Sequence, residues 1–204
     1  MNYECSKCNK NYGLKYKRKY KPSDFLEGKR NSLIWIVGLN PKGNLGENDK
    51  RVVTELEDYF EGDIHPYFRD FEKVSVKLHK LFGKDKGAAH TDIVKCFSNE
   101  FPPKNGKRQG AQVIIENCKG YFKEQIKEWF PRMIICNGSP VCKIIKEVIK
   151  PQIDYGTSYI GDFDGGEIIV ILSGFIGRID DYAKLRLGKE IELYMGKYGI
   201  GHGV

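Results

Sequence analysis

The residues in this chain with the most chemistry to offer are its cysteines and one buried-looking acid. Cys5 and Cys8 form the element CSKC, Cys96 closes the stretch HTDIVKCF (His90 to Phe97), and Cys118 follows a loop, FPPKNGKRQG. A lone CxxC could be half a zinc knuckle or a redox pair. Two chelating elements are more specific, and four thiolates suit zinc or an iron–sulfur cluster equally by count. Cys136 and Cys142 stand in apolar company, IIC and PVC, where a free cysteine is ordinary core packing. Asp92 lies in the same stretch as Cys96. Read as a strand, His90 to Phe97 would put the carboxylate near one end and the thiol near the other. His90 would share a strand face with Asp92, although a satisfied strand-end histidine is the plainer reading.

Alternating elements would position these groups. SLIWIVGLNP (Ser32 to Pro41) reads as a strand buried on both faces and followed by a turn. KRVVTELEDYF (Lys50 to Phe60) and YFRDFEKVSVKLHKLF (Tyr67 to Phe82) have helical spacing, with Phe68, Phe71, Val74, Leu78 and Leu81 on one stripe. AQVIIENCKGYFKEQIKEWF is a helix that Pro131 ends, RMIICNG a strand, and PVCKIIKEVIK a helix with Pro140 in its first turn. TSYIGDFDGGEIIVILSG gives two strands about an Asp-Gly turn, and DDYAKLRLGKEIELYMG a closing helix. This alternation predicts an α/β fold: a three-layer α/β/α sandwich on a central, mostly parallel sheet of four to five strands. Ligands of such sheets sit at the carboxyl ends of the strands, so the turns after Val37, Val94 and Leu172 are the places to look.

The totals are those of one soluble domain. At 204 residues, 40% hydrophobic and 30% charged, the chain can bury a full core but has no run of the roughly 18 apolar residues a membrane span needs. No apolar leader is evident, and a cytoplasmic location with unpaired thiols is expected. The net charge of +7 is partly concentrated in KYKRKYK, Lys15 to Lys21. Cations interleaved with rings suit phosphates and stacked bases, so Lys17, Arg18 and Lys19 are candidate DNA contacts. A solvated basic arm is the blander alternative.

DIVKCF, the Pro-Pro loop and NCKGYFKEQIKEWFPRMIICNG together resemble the iron–sulfur branch of the uracil-DNA glycosylase superfamily. That branch carries N-V-V-K-C-R-P-P, a second cysteine in the following helix, and an N-terminal CxxC. The likeness runs from about Cys5 to Leu193. It implies a single glycosylase-like domain whose N-terminal arm (residues 1–31) is tied down by Cys5, Cys8, Cys96 and Cys118. These would hold a structural 4Fe–4S cluster, with zinc as the alternative. It also implies a monomer that binds DNA, with neither membrane nor obligate protein partner. GLNPKGN (Gly38 to Asn44) is similar to the superfamily's first motif, with Asn40 where this branch has Glu and the mismatch-specific branch has Asn. Asn40 would orient water, with Gly38 and Leu39 beside the base and Lys42 near phosphate. HPYFRDF would supply the ring that stacks on the flipped base, Phe68 first and Tyr67 second. ILSGFIGR stands where the family has H-P-S. The histidine is replaced by Ser173-Gly174, with Ser173 the candidate catalytic residue there, Phe175 and Ile176 candidate wedges, and Arg178 a candidate phosphate contact.

The sharpest departure is Asp92, which stands where the branch has an Asn that reads uracil. An ionised carboxylate only accepts, so it opposes the O4 of uracil and suits the N4 amine of cytosine. A host could not survive removal of plain cytosine, and the glycine-rich KGNLG leaves room for a 5-substituent. The expected activity is excision of a 5-modified cytosine, such as the glucosylated hydroxymethylcytosine of phage DNA, as defence. Ordinary uracil repair is one alternative. A non-catalytic DNA-binding protein on the same fold is the other.

Overall fold

The computed structural model describes residues 2–42, 59–60, 65–103 and 108–201. The predicted helix over 50–60 therefore lies outside the described residues except for Tyr59 and Phe60, as do KGNLG beyond Lys42 and the tail from His202. In chain order, a small hairpin of β1 (Tyr3–Cys5) and β2 (Tyr16–Arg18) encloses the short helix α1 (Asn9–Tyr12). A single 3-10 turn at Pro22–Asp24 leads to β3 (Ile34–Gly38), α2 (Pro66–Arg69), α3 (Val76–Lys80) and β4 (Ala88–Asp92). Then come α4 (Arg108–Trp129), β5 (Met133–Asn137), α5 (Ser139–Val148), β6 (Lys150–Asp154), β7 (Ser158–Phe163), β8 (Gly166–Ser173) and α6 (Asp181–Lys197).

The central sheet has six strands in the order β4-β3-β5-β8-β7-β6. The first four run parallel, and β7 and β6 add an antiparallel edge. Alternation along each strand divides the core into two layers. Trp35, Val37, Ala89, Ile134, Cys136 and Val170 face α4 and α5. Ile34, Ile36, Ala88, Ile135, Ile169 and Ile171 face the α2–α3 segment and α6. Burial on both faces is what the continuous apolar runs of a parallel sheet require, at roughly 1.5–3 kcal/mol for each large side chain removed from water. Among the described residues, no helix is long and apolar enough to cross a membrane.

Four boundaries differ from the sequence reading, each for a physical reason. The strand expected over His90 to Phe97 is Ala88–Asp92, because Ile93 and Val94 turn away to bond the Gly38 and Leu39 carbonyls at 3.0 and 2.9 Å. Asp92 is thus the last residue of its strand, and Cys96 lies beyond it in a loop. The expected helix over Tyr67 to Phe82 is two short ones. Extended backbone at Ser75 breaks it, and the Ser75 hydroxyl caps α3 by accepting from the Leu78 N–H at 3.1 Å. The stripe itself is real: Phe68, Phe71, Val74, Leu78 and Leu81 are all buried. The extra strand β6 is exposed throughout and carries Pro151, so it has no apolar signal, and its edge position tolerates the proline. Finally, KYKRKYK alternates along β2 and its extension. Tyr16, Arg18 and Tyr20 turn inward while Lys15, Lys17, Lys19 and Lys21 face solvent. The rings are therefore packed into the arm and offer no stacking face.

Candidate functional site: a cavity at the strand ends

The carboxyl ends of β3, β4 and β5 open on a cavity of about 740 Å³, within the range of small-molecule and cofactor sites. Its wall includes Gly38, Leu39, Asn40, Lys42, His90, Asp92, Tyr67, Phe68, Asn137, Phe175 and Arg178. Parallel register brings them together, since Gly38 pairs with Asp92 and Asn137 with Ser173.

Asp92 is only 3% exposed and reaches across Gly38. A β-carbon on residue 38 would overlap the Asp92 Oδ1 atom, so glycine is what lets the carboxylate turn along the wall. Two residues earlier on the same face, His90 gives its Nδ1 to the Glu27 carboxylate at 2.6 Å, both side chains being buried. Residue 27 is itself tied to this outer strand, because Glu27 and His90 exchange backbone N–H to carbonyl bonds at 2.8 Å in each direction. Burial draws the His90 pKa down, but the negative charges of Asp92 and Glu27 outweigh it and the net shift is upward. Burial first, and then Asp92, push the Tyr67 hydroxyl well above the ordinary phenol range.

Asn40 donates both amide hydrogens to backbone carbonyls, to Pro41 at 3.2 Å and to Ser98 at 3.1 Å. This fixes which end of the amide is which and leaves the oxygen as the acceptor for a water. Asn137 acts as a clasp. Its amide donates to the Tyr67 hydroxyl, and its oxygen accepts from the Ile176 N–H at 2.7 Å. The clasp seats Tyr67 against Phe175, their rings stacked with centroids 6.3 Å apart at 26°.

Phe68, the first choice for a stacking ring, is 2% exposed and packs edge-on against Phe60 and Phe82, so Tyr67 presents the freer ring. Ile176 is 1% exposed and belongs to the core, whereas Phe175 is 44% exposed; of the two candidate wedges only Phe175 reaches the surface. Ser173 does not line the cavity, and its hydroxyl donates to the Gly174 carbonyl at 3.0 Å. Arg178 is exposed on the rim. Of the proposed DNA contacts on the arm, Lys17 is exposed and paired with Glu4 at 3.2 Å, Lys19 is exposed, and Arg18 is buried over the Phe97 ring at 5.1 Å.

Three residues escaped the sequence reading. Asn137 had a usable signal, a polar residue at the end of an apolar strand and just before a glycine. Lys95 also had one, being a single charge within IVKCF. It is fully buried, donating to Thr91 at 2.9 Å and to Gln125 at 2.5 Å, and burial draws its pKa down to about 7. Glu27 had none, since DFLEGKR has neither period nor motif.

The cysteines converge from three places: the β1–β2 hairpin, the loop after β4, and α4. All are free thiols, with Cys8, Cys96 and Cys118 buried and Cys5 partly so. Burial, followed by the proximity of Cys118, Cys5 and Cys8, pushes the Cys96 thiol well above its ordinary value. Asn117 donates to the Cys8 sulfur at 3.3 Å. Among the described residues, no three His, Cys, Asp or Glu side chains form the shell of a single metal ion. Four free thiols drawn from three segments and close enough to influence one another's protonation offer the thiolate donors that an iron–sulfur cluster or a zinc ion takes. Cys136 is core, as expected. Cys142 is only half-buried, and hydrogen bonding with Cys136 draws its thiol down to about 7.

The fold and site together define an α/β/α protein with a cavity at the ends of its parallel strands, its wall carrying Asn40, His90, Asp92 and Asn137. No protein-family model matches the chain, and a search of curated proteins finds no match to its sequence.

Proposed function

We propose that this protein is a DNA glycosylase that draws a 5-modified cytosine out of the duplex and hydrolyses its bond to the sugar, leaving an abasic site. The observation that carries the reading is Asp92, a carboxylate held at the wall of the strand-end cavity. In its ionised form it accepts the N4 amine of a cytosine-type base, while facing uracil it would leave O4 opposed, at a cost of about 1–3 kcal/mol. The glycosidic bond breaks through an oxocarbenium-like state, which calls for a held water and a ring to seat the base. Asn40 supplies the acceptor for that water, and Tyr67 supplies the ring. Phe175, exposed beside the cavity, would fill the gap left in the duplex, and Lys42 and Arg178, which also line it, would meet phosphates. Cys5, Cys8, Cys96 and Cys118 would hold a 4Fe–4S cluster, whose contribution is to pin the arm beside the DNA.

The role that follows is defence in the cytoplasm against phage DNA carrying such bases. Purified protein incubated with unmodified, uracil-containing and glucosylated hydroxymethylcytosine duplexes, followed by cleavage at abasic sites, tests it. Breaks are expected in the modified duplex. Breaks in the uracil duplex alone would make it a repair enzyme, and breaks in none, with DNA binding intact, a binding protein.

A further inference from the structure

We propose that His90, clamped by Glu27, donates from Nε2 to ring nitrogen N3 of the base whose amine Asp92 accepts. It thereby supplies the imidazole that the loop at Ser173 lacks. This rests on the excision of a cytosine-type base proposed above and adds a second determinant to it.

The placement argues for the role. His90 Nε2 lies 3.3 Å from the position a β-carbon on Gly38 would take, the same space that Asp92 Oδ1 enters. The two groups thus stand side by side on one wall of the cavity. Glu27 occupies Nδ1 at 2.6 Å, so any proton exchange with a ligand falls to Nε2. A flipped base is read along its Watson–Crick edge. On cytosine that edge presents an amine donor at N4 beside an acceptor at N3, and an acceptor–donor pair from Asp92 and His90 complements both. On uracil both positions are reversed, so each would set like groups against each other.

The same contact assists the chemistry. When the C1′–N1 bond breaks, its electron pair passes into the base, N3 takes the Nε2 proton, and the base leaves neutral. Water adds to C1′ and loses its proton to solvent, from which His90 is recharged. Among the described residues, four ionisable groups face this imidazole. They are Glu27 from the segment before β3, Asp92 on its own strand, Tyr67 from α2, and Lys95 beyond the strand end. The two carboxylates favour the charged ring and Lys95 opposes it, with the carboxylates prevailing.

Single-turnover excision of glucosylated hydroxymethylcytosine, measured against pH, tests this for the unaltered protein and for H90Q and E27Q. The imidazolium is the active form, so the unaltered rate should fall as pH rises beyond the ordinary histidine value of about 6.5. H90Q should be slower by about 100-fold and lose that fall. E27Q keeps the shape of Glu27 but removes its charge, so the fall should move to lower pH; it decides the matter even if H90Q does not fold. Excision with an unmoved profile in E27Q overturns the role of His90 and leaves the glycosylase reading standing. No excision of any cytosine-type base by the unaltered protein overturns both.

Discussion

At the scale of single residues, the selectivity proposed for this protein rests on which hydrogens the cavity wall can offer. Asp92→Asn exchanges an acceptor-only group for one that also donates, at nearly constant volume. Competition between uracil and modified-cytosine duplexes should shift towards uracil by roughly 5- to 150-fold, the equivalent of about 1–3 kcal/mol. An unchanged ratio would mean that Asp92 does not touch the base. Gly38→Ala makes a complementary probe. Its methyl group would overlap the Asp92 carboxylate and push it from the wall, so excision should fall steeply while thermal unfolding moves little. Asp92 was legible in the sequence because it heads the stretch DIVKCF, at the position where the motif it resembles has an Asn. The partner that orders its neighbour was not. Glu27 is brought to His90 by a backbone bridge between residues 63 positions apart, which no local pattern encodes.

At the scale of elements, the apolar runs announced their strands because burial on both faces leaves no alternation to confuse. The hairpin between β7 and β8 was equally plain, since Asp164 and Gly165 take positive φ of 50° and 85°, as a two-residue turn of this hand demands. What stayed hidden was set by contacts between elements. The break between α2 and α3 is one case: α6 presses against Val74 just where the chain turns, through the missing side chain of Gly188. A β-carbon there would overlap the Val74 carbonyl oxygen. Gly188→Ala gains about 1 kcal/mol of helix propensity but forces α6 off its seat, and overpacking of this kind costs typically 1–3 kcal/mol. Backbone against backbone cannot yield as a side chain can, so the clash should win. Each net kcal/mol lowers the melting temperature by roughly 2–4 °C in a chain of this size. A melting temperature equal to or above that of the unaltered protein would show that α6 accommodates the methyl group. The capping hydroxyl of Ser75, which also donates to Glu192 of α6 at 2.7 Å, ties the same two elements together from the other side.

At the scale of the whole molecule, the N-terminal arm is held in two unequal halves. From Leu14 onward it has a core of its own: Tyr16 donates to the Tyr20 carbonyl at 2.8 Å, Tyr20 stacks on Phe25, and the Phe25 carbonyl accepts from Thr91 at 2.6 Å and from Gln125 at 2.7 Å. The first dozen residues have far less. Helix α1 buries none of its side chains, and the β1–β2 pair is a two-stranded sheet of three residues a side, marginal without outside support. Cys8, buried against Cys96 and Cys118, is the main apolar anchor of that half, and Cys5 packs beside it. A cluster bound by these four thiolates would therefore govern the order of residues 2–12 and matter much less to residues 14–31. Hydrogen exchange separates the two cases. In Cys8→Ala, or in protein stripped of iron, amides 2–12 should lose protection by at least about tenfold while 14–31 and the central sheet keep theirs. Equal loss across both halves would place the cluster at the centre of the arm's stability, and no loss in 2–12 would remove the cysteines from the fastening of the arm altogether.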